Sequence, residues 1–354
     1  MKSSDYCDFG LFEEEASLSL LDYSGRLWRK MSPSKQEEIV EELFNYYRNH
    51  YGFPYQRLSE EEIDSVLWRI KNRPVVFDGK DIVWDNTGSV LCTYYFPHIW
   101  TVSSRKKSIA AIDVFNDDVK FKKTIRFCLA FKDRVTPHEI ITSFNLRTGV
   151  VSRFRPMVAK AIYQRYAPPN GVIYDYACGW GGRLLGAMAG GFKYIGVDPE
   201  SRTHECLHRL GKRAASVYDT VSPAIYKIGS EEFCPDDLKG TVDVAFSSPP
   251  YFDLEVYSTE STQSVMKYPK INDWLNVFVR RTIQNSRDLL KPGGVFAINI
   301  EDYDACKMVS QILDLAKELG LTPLEELRMP IMQRRGNAHS SDVFRYESIH
   351  VFRK

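Results

Sequence analysis

The chain has 354 residues, of which 44% are hydrophobic and 26% charged, with a formal net charge of +1. That balance suits one large or two modest globular domains and excludes a chain too polar to bury a core. Near-neutral charge also means that any nucleic-acid contact must come from local basic patches.

The seven cysteines, at 7, 92, 128, 178, 206, 234 and 306, form no C-x-x-C pair. Neither a zinc cluster nor a disulfide framework is expected, and a reducing, cytoplasmic setting fits. The first eight residues, Met1 to Asp8, contain no apolar signal core. No apolar run approaches the length of a membrane span.

In chain order, the first predicted helix covers 34–50. Ser32-Pro33-Ser34 supplies its start, and Ile39, Leu43, Tyr46 and Tyr47 fall at helical spacing. A second helix is predicted over 59–72, where Ser59 and Glu62 fit a capping box and Arg73-Pro74 closes the segment. Residues 75–131 read as mixed and strand-rich, with apolar or aromatic runs at 75–77, 81–84, 90–96 and 124–131. Residues 1–150 are thus expected to form an N-terminal α+β region.

From residue 170 the pattern becomes βαβ. Strands are predicted near 172–177, 193–198, 224–228, 242–247 and 294–300, and helices near 182–190, 201–214, 272–290 and 303–319. Alternation of this kind implies a parallel sheet with helices on both faces. The end differs: 323–331 and 346–353 read as strands around a polar loop, which predicts a hairpin.

Three motifs carry chemistry. The first runs from Asp175 to Gly186, through Cys178, Gly179, Trp180, Gly181 and Gly182, and reads as strand, Gly-rich turn and helix start. Such a turn lets a ligand approach the backbone, and the helix start offers free N–H groups. Its spacing is not that of a dinucleotide fingerprint, and the chain has no G-x-x-x-x-G-K-[ST] phosphate loop. The second is Asp198, which ends the next strand, where an open α/β sheet places a carboxylate for ribose hydroxyls. Its structural alternative is a cap for the helix near Ser201.

The third is Ser248-Pro249-Pro250-Tyr251-Phe252, directly after the strand at 242–247. Prolines donate no backbone hydrogen bond and have nearly fixed φ, so the carbonyls here are acceptors aimed in set directions. With the Ser248 hydroxyl and the flat face of Tyr251, they suit a planar ring bearing an NH2 group. The alternative is a strand-ending turn with a buried tyrosine.

In this order, these motifs resemble those of the class I AdoMet-dependent methyltransferases. More narrowly, they resemble the amino-methyltransferases that act on exocyclic amines of nucleic-acid bases. The resemblance covers roughly 150–354. It implies a Rossmann-like, mostly parallel seven-stranded sheet with a C-terminal antiparallel hairpin, a catalytic domain at 151–354, and S-adenosyl-L-methionine as cofactor. By elimination, 1–150 is left as a possible nucleic-acid recognition region.

The resemblance assigns Asp175, Cys178, Gly179, Gly181, Asp198 and Glu231 to the cofactor, with Asp175 toward the methionine amino group and Glu231 toward adenine. It assigns Ser248, Pro249, Pro250 and Tyr251 to catalysis. Phe252 and Tyr257 are candidates for substrate contact, each with core packing as the alternative. Trp180 faces either cofactor or substrate, and Phe154 to Met157 either packs by the methionine end or simply starts a helix. Arg334 and Arg335, in the hairpin loop, are the leading phosphate candidates. The stretch at 103–107 and Arg147, Arg153 and Arg155 are weaker ones. Residues 253–270 are expected to form a mobile loop over the active site.

Within the family, Ser-Pro-Pro-Tyr leans toward cytosine N4 and Asp-Pro-Pro-Tyr toward adenine N6. DNA is the expected partner, RNA is the alternative, and no metal is expected. A catalytically silent binding subunit is the reading from a different class.

Overall fold

The computed structural model describes residues 25–103, 109–132, 135–144, 148, 151–254, 257–303, 306–331 and 345–354. The chain divides into two compact units, and the division does not follow a cut at residue 150. One unit holds residues 1–55 and 112–147, the other 56–111 and 148–354.

The described part of the first unit is helical. Helix Pro33–Tyr46 is capped by the Ser32 hydroxyl and runs into a wider turn, Tyr47–Tyr51. Helix Asp118–Phe131 is capped by Asp117, and Pro137–Phe144 follows it. Phe53 lies 5.4 Å from Phe115 and 5.8 Å from Phe144, centroid to centroid, so these rings form an aromatic core.

The strand-rich reading of 75–131 is corrected here. The run at 90–96 lies in helix Ser89–Tyr95, and the run at 124–131 lies inside Asp118–Phe131. Phe121, Thr124, Ile125, Cys128 and Leu129 are its buried residues, a helical stripe that outweighs the β propensity of single residues. Among the described residues of that region, the strands are the two-residue β1 (Phe77–Asp78) and β2 (Asp81–Ile82). Among the described residues of 1–150, helices predominate and the strands are β1 and β2.

In the second unit, helix Glu60–Asn72 has the full capping box, Ser59 with Glu62. The sheet continues with β3 (Val172–Asp175), β4 (Lys193–Val197), β5 (Ala224–Tyr226), β6 (Val242–Ser247), β7 (Leu290–Asn299), β8 (Thr322–Ile331) and β9 (Arg345–Arg353). Its order is β1-β2-β8-β9-β7-β6-β3-β4-β5. Strands β3 to β7 pair in parallel, and β9 lies antiparallel between β7 and β8. Seven strands, mostly parallel and closed by an antiparallel hairpin, form the class I methyltransferase sheet. The β1–β2 pair extends it at the β8 edge through Asp81 opposite Arg328.

Both faces are covered. Tyr174, Ala245, Phe296, Ile298 and Phe352 pack with Trp274, Phe278, Ile283 and Ile312 on one side. On the other, Phe246 meets the rings of Phe154 and Tyr163, at 5.3 and 6.1 Å. The chain runs outward from β3 to β4 and β5, then returns to β6 on the other side of β3. The crevice at the carboxyl ends of β3 and β6 is thus a topological switch point, where open α/β sheets bind ligands.

Candidate active site

All three motifs leave the sheet at that carboxyl edge. Asp175 ends β3, Asp198 follows β4, and Ser248 follows β6. In the first loop Gly179 and Gly181 have φ of 53° and 73°, values that L side chains rarely adopt. A Cβ at Gly179 would meet nothing nearer than the Ala177 carbonyl, at 3.8 Å, so this side of the loop is open. A Cβ at Gly182 would collide with the Phe154 carbonyl, which seats the loop against the segment before helix Pro156–Tyr166.

The Asp175 carboxyl is fully buried and occupied. It accepts from Arg183 Nε at 2.9 Å, from the Tyr194 hydroxyl at 2.7 Å and from the Ala177 N–H at 3.2 Å. Arg183 also donates to the Ala177 carbonyl and lies over the Phe154 ring. In this arrangement Asp175 holds the loop from below, with Oδ2 taken by Arg183 and Tyr194 and Oδ1 by the Ala177 N–H. Sequence reasoning did not single out Arg183. The available signal was a lone cation in an apolar Gly-Leu-Leu run, which must find a buried partner.

Asp198 bridges the first loop to the second. Its carboxyl accepts from the Gly179 N–H at 2.9 Å and from the Glu200 N–H at 3.1 Å. It is not the cap of helix Ser201–Tyr218: Glu200 takes that place, its side chain accepting from the Thr203 N–H. Burial pushes the Asp198 carboxyl up to about 7, against the pull of those two N–H groups. Cys178 is buried, with its thiol beside the Tyr194 hydroxyl at 3.3 Å, and burial pushes that thiol well up.

Trp180 is buried between His98, 5.1 Å away, and Tyr257, 5.9 Å away, centroid to centroid. The His98 ring meets the Thr203 hydroxyl at 3.1 Å, and burial pushes His98 down to about 4, so it is neutral at pH 7. Tyr257 therefore reaches the Gly-rich loop from the segment after the tetrapeptide.

That segment crosses the carboxyl edge as a strap. The Ser201 N–H donates to Glu260 at 3.3 Å, and the Thr262 hydroxyl donates to the Pro199 carbonyl at 3.4 Å. Lys267, ending the short helix Ser264–Lys267, donates to Glu231 at 2.9 Å and to Glu232 at 2.8 Å. Trp274 Nε1 donates to the Ser264 hydroxyl at 3.2 Å. The described part of the expected mobile loop is thus fastened at four points. Glu231 is buried beneath it, with Oε2 lacking a partner among the described residues.

At the tetrapeptide, Ser248 and Pro250 are half-buried and Pro249 is buried. Tyr251 is partly buried against the core cluster, and its carbonyl accepts from the Leu254 N–H at 2.9 Å in a tight turn. Phe252 takes a φ of 46°, strained for a residue with a Cβ. Its ring packs edge-on to Trp274 at 5.8 Å. Arg155 is buried with its guanidinium 4.0 Å above the Trp84 ring and donates to the Pro330 carbonyl. Arg147, Arg334, Arg335 and positions 105–107 lie outside the described residues.

Among the described residues, no group of three or more His, Cys, Asp or Glu could hold a metal ion. No helix among them is long and apolar enough to cross a membrane.

No known family profile matches the chain, and no curated protein matches it. Among solved structures it is similar to a SAM-dependent methyltransferase from Methanosarcina mazei, at 14% identity over 55% of this chain and 96% of that one, TM-score 0.39. It is similar to the 1,6-didemethyltoxoflavin N1-methyltransferase of Burkholderia thailandensis, at 15% identity over 56% and 77%, TM-score 0.37. It is also similar to TrmN from Thermus thermophilus, at 14% identity over 56% and 48%, TM-score 0.37, and so spans about half the length of that protein. Strand order and register, rather than these likenesses, establish the fold.

Proposed function

We propose that this protein is an AdoMet-dependent methyltransferase acting on an exocyclic amine of a nucleic-acid base, with cytosine N4 in DNA favoured over adenine N6. One observation carries the reading. The Gly-rich loop, Asp198 and Ser248-Pro249-Pro250-Tyr251 leave one sheet edge on adjacent strands at its switch point.

The residues present fit the cofactor. The open side of Gly179 leaves room for close backbone approach. Asp198, anchored by two backbone N–H groups, suits ribose hydroxyls, and the unpartnered Glu231 oxygen suits a donor on the adenine side. Cys178 and Gly181 shape the same loop. Asp175 acts through that loop, as a positioning residue. Bound AdoMet supplies an electrophilic methyl group on a sulfonium.

The rest is done by the chain itself. An aromatic amine delocalises its lone pair into the ring. Acceptors that hold both amine hydrogens turn that nitrogen toward sp³ and aim its lone pair. The Pro249 carbonyl and the Ser248 hydroxyl are those acceptors, and Pro250 stiffens the turn that presents them. Tyr251 stacks on the base, and Tyr257 closes the cleft from the strap side. The Phe252 ring, already packed on Trp274, serves to hold the turn. A base inside a duplex cannot reach this edge, so it must flip out or come from a single strand. Acceleration then rests on positioning and on electrostatics matched to the transition state.

The deciding experiment is transfer of labelled methyl from AdoMet to DNA and to RNA, followed by nucleoside mass spectrometry. N4-methylcytosine in DNA is expected. N6-methyladenine would keep the chemistry and change the base, and a product confined to RNA would change the substrate. AdoMet binding with no nucleic-acid product would overturn the reading.

A further inference from the structure

Outside the cleft, helix Ser201–Tyr218 carries a pair of side chains that the proposed chemistry does not use. Residues four apart on a helix lie one above the other on the same face. His204 and His208 are so placed, one turn apart. Thr203, Cys206, Leu207 and Leu210 of the same turns are buried, which fixes the backbone beneath the pair. His204 is half-buried and His208 exposed, so the pair stands on a rigid element with an open approach from solvent.

The two imidazoles meet nitrogen to nitrogen. Nε2 of His204 lies 3.2 Å from Nε2 of His208. The ring centroids are 4.5 Å apart and the planes are inclined by 75°. Two rings joined in line by an N–H···N bond would hold their centroids further apart than that. At least one ring is therefore turned off the line between the nitrogens. A metal ion bonded to both nitrogens at about 2.0–2.1 Å would subtend about 100° across a gap of 3.2 Å. That angle lies between the tetrahedral angle and the right angle of adjacent octahedral positions. The helix thus already spaces the pair for a chelate.

The surroundings suit a neutral ligand, the form in which histidine binds a metal. Burial, and then His208, hold His204 below the ordinary histidine range, so its ring is neutral at pH 7. Lys227 adds to that effect and Glu205 opposes it. The His204 ring also meets the backbone of Ile225, on β5, the kind of outer partner that orients metal-bound histidines. Cys206 is buried with its thiol pushed up by burial, and no third His, Cys, Asp or Glu joins the pair among the described residues. Water is left to fill the other positions. Imidazole and water suit zinc, nickel or copper, whereas Mg²⁺ takes oxygen ligands.

We infer that His204 and His208 form a two-histidine chelate site for a divalent transition-metal ion of the zinc, nickel and copper class. The inference goes beyond the proposed function and does not rest on it.

The test is calorimetric titration of the full chain, first stripped with a chelator, with ZnCl2, NiCl2 and MgCl2 at pH 7. His204→Gln and His208→Gln are titrated alongside, and melts without metal check that both variants fold. Zn²⁺ and Ni²⁺ are each expected to bind with one equivalent that either substitution removes, and Mg²⁺ to show no binding. The melting temperature of the wild type should rise in Zn²⁺ by mass action, and that of the variants should rise less. A wild type that binds neither Zn²⁺ nor Ni²⁺ overturns the inference and leaves the pair joined by a hydrogen bond alone. An equivalent retained in either variant also overturns it, because the metal would then sit elsewhere in the chain. Equal uptake of Mg²⁺ would overturn the class of ion. AdoMet and nucleic acid are absent from every titration, so no outcome bears on the methyltransferase reading.

Discussion

At the residue scale, the site is built on buried polar groups that have few alternatives. Arg183 and Asp175 form an ion pair with almost no exposure, and removing one partner of such a pair costs about 3–5 kcal/mol. Arg183→Met should therefore lower unfolding stability by about that amount in denaturant titrations. The double variant Asp175→Asn/Arg183→Met should recover part of the loss. A single variant as stable as the wild type would mean that the pair does not hold the loop. In its proposed role, Tyr251 should separate substrate binding from cofactor binding. Tyr251→Ala should weaken oligonucleotide binding by about 1–3 kcal/mol, the usual worth of a base stack, and leave AdoMet binding nearly unchanged in calorimetry. Equal losses for both ligands would assign Tyr251 to packing, in line with its contact with the core.

At the scale of elements, the strap after the tetrapeptide is the part most open to experiment. It crosses the ends of β4 and β5 and ties to Glu231 and Glu232 through Lys267. The Lys267 ammonium is kept protonated by those carboxylates, although burial opposes them. Lys267→Ala should speed amide exchange across 257–267 and quicken AdoMet release, while exchange in β3 and β6 stays slow. Unchanged exchange in the strap would show that Glu260, Thr262 and Ser264 suffice to fasten it. The strained φ of Phe252 belongs to the same element, because the turn that aims Tyr251 is held by the Phe252–Trp274 contact.

At the scale of the whole molecule, the burial of Asp198 at the carboxyl edge of the sheet should set a pH dependence for the cofactor. Asp198 is raised to about 7, and in its proposed role it accepts from ribose hydroxyls more strongly when ionised, so cofactor affinity should be gained as pH rises through 7. The expected kcat/KM profile, at subsaturating AdoMet, rises through neutrality and then levels, and a profile flat from pH 6 to 8 would sink the role of Asp198.

How much of this was legible in the sequence depends on the range of the interaction concerned. The capping box at Ser59, the strand at 242–247, the Gly-rich turn and the terminal hairpin are local or motif-level features, and each is where its residues imply. Local propensity misled at 90–96 and 124–131, because aromatic and β-branched residues suit a strand but also fill a buried helical stripe. Arg183 and Lys267 gain their roles from partners on other elements. The strap's hold on Glu231 spans 36 residues, and Asn299 reaches Ser348 across 49. The sequence by itself determined the chemistry available at each strand end: carbonyls without N–H groups, glycines with positive φ, acids after strands. Only the tertiary structure decided which acids are buried and which are already occupied, because those properties follow from strand order, register and burial between residues far apart in the chain.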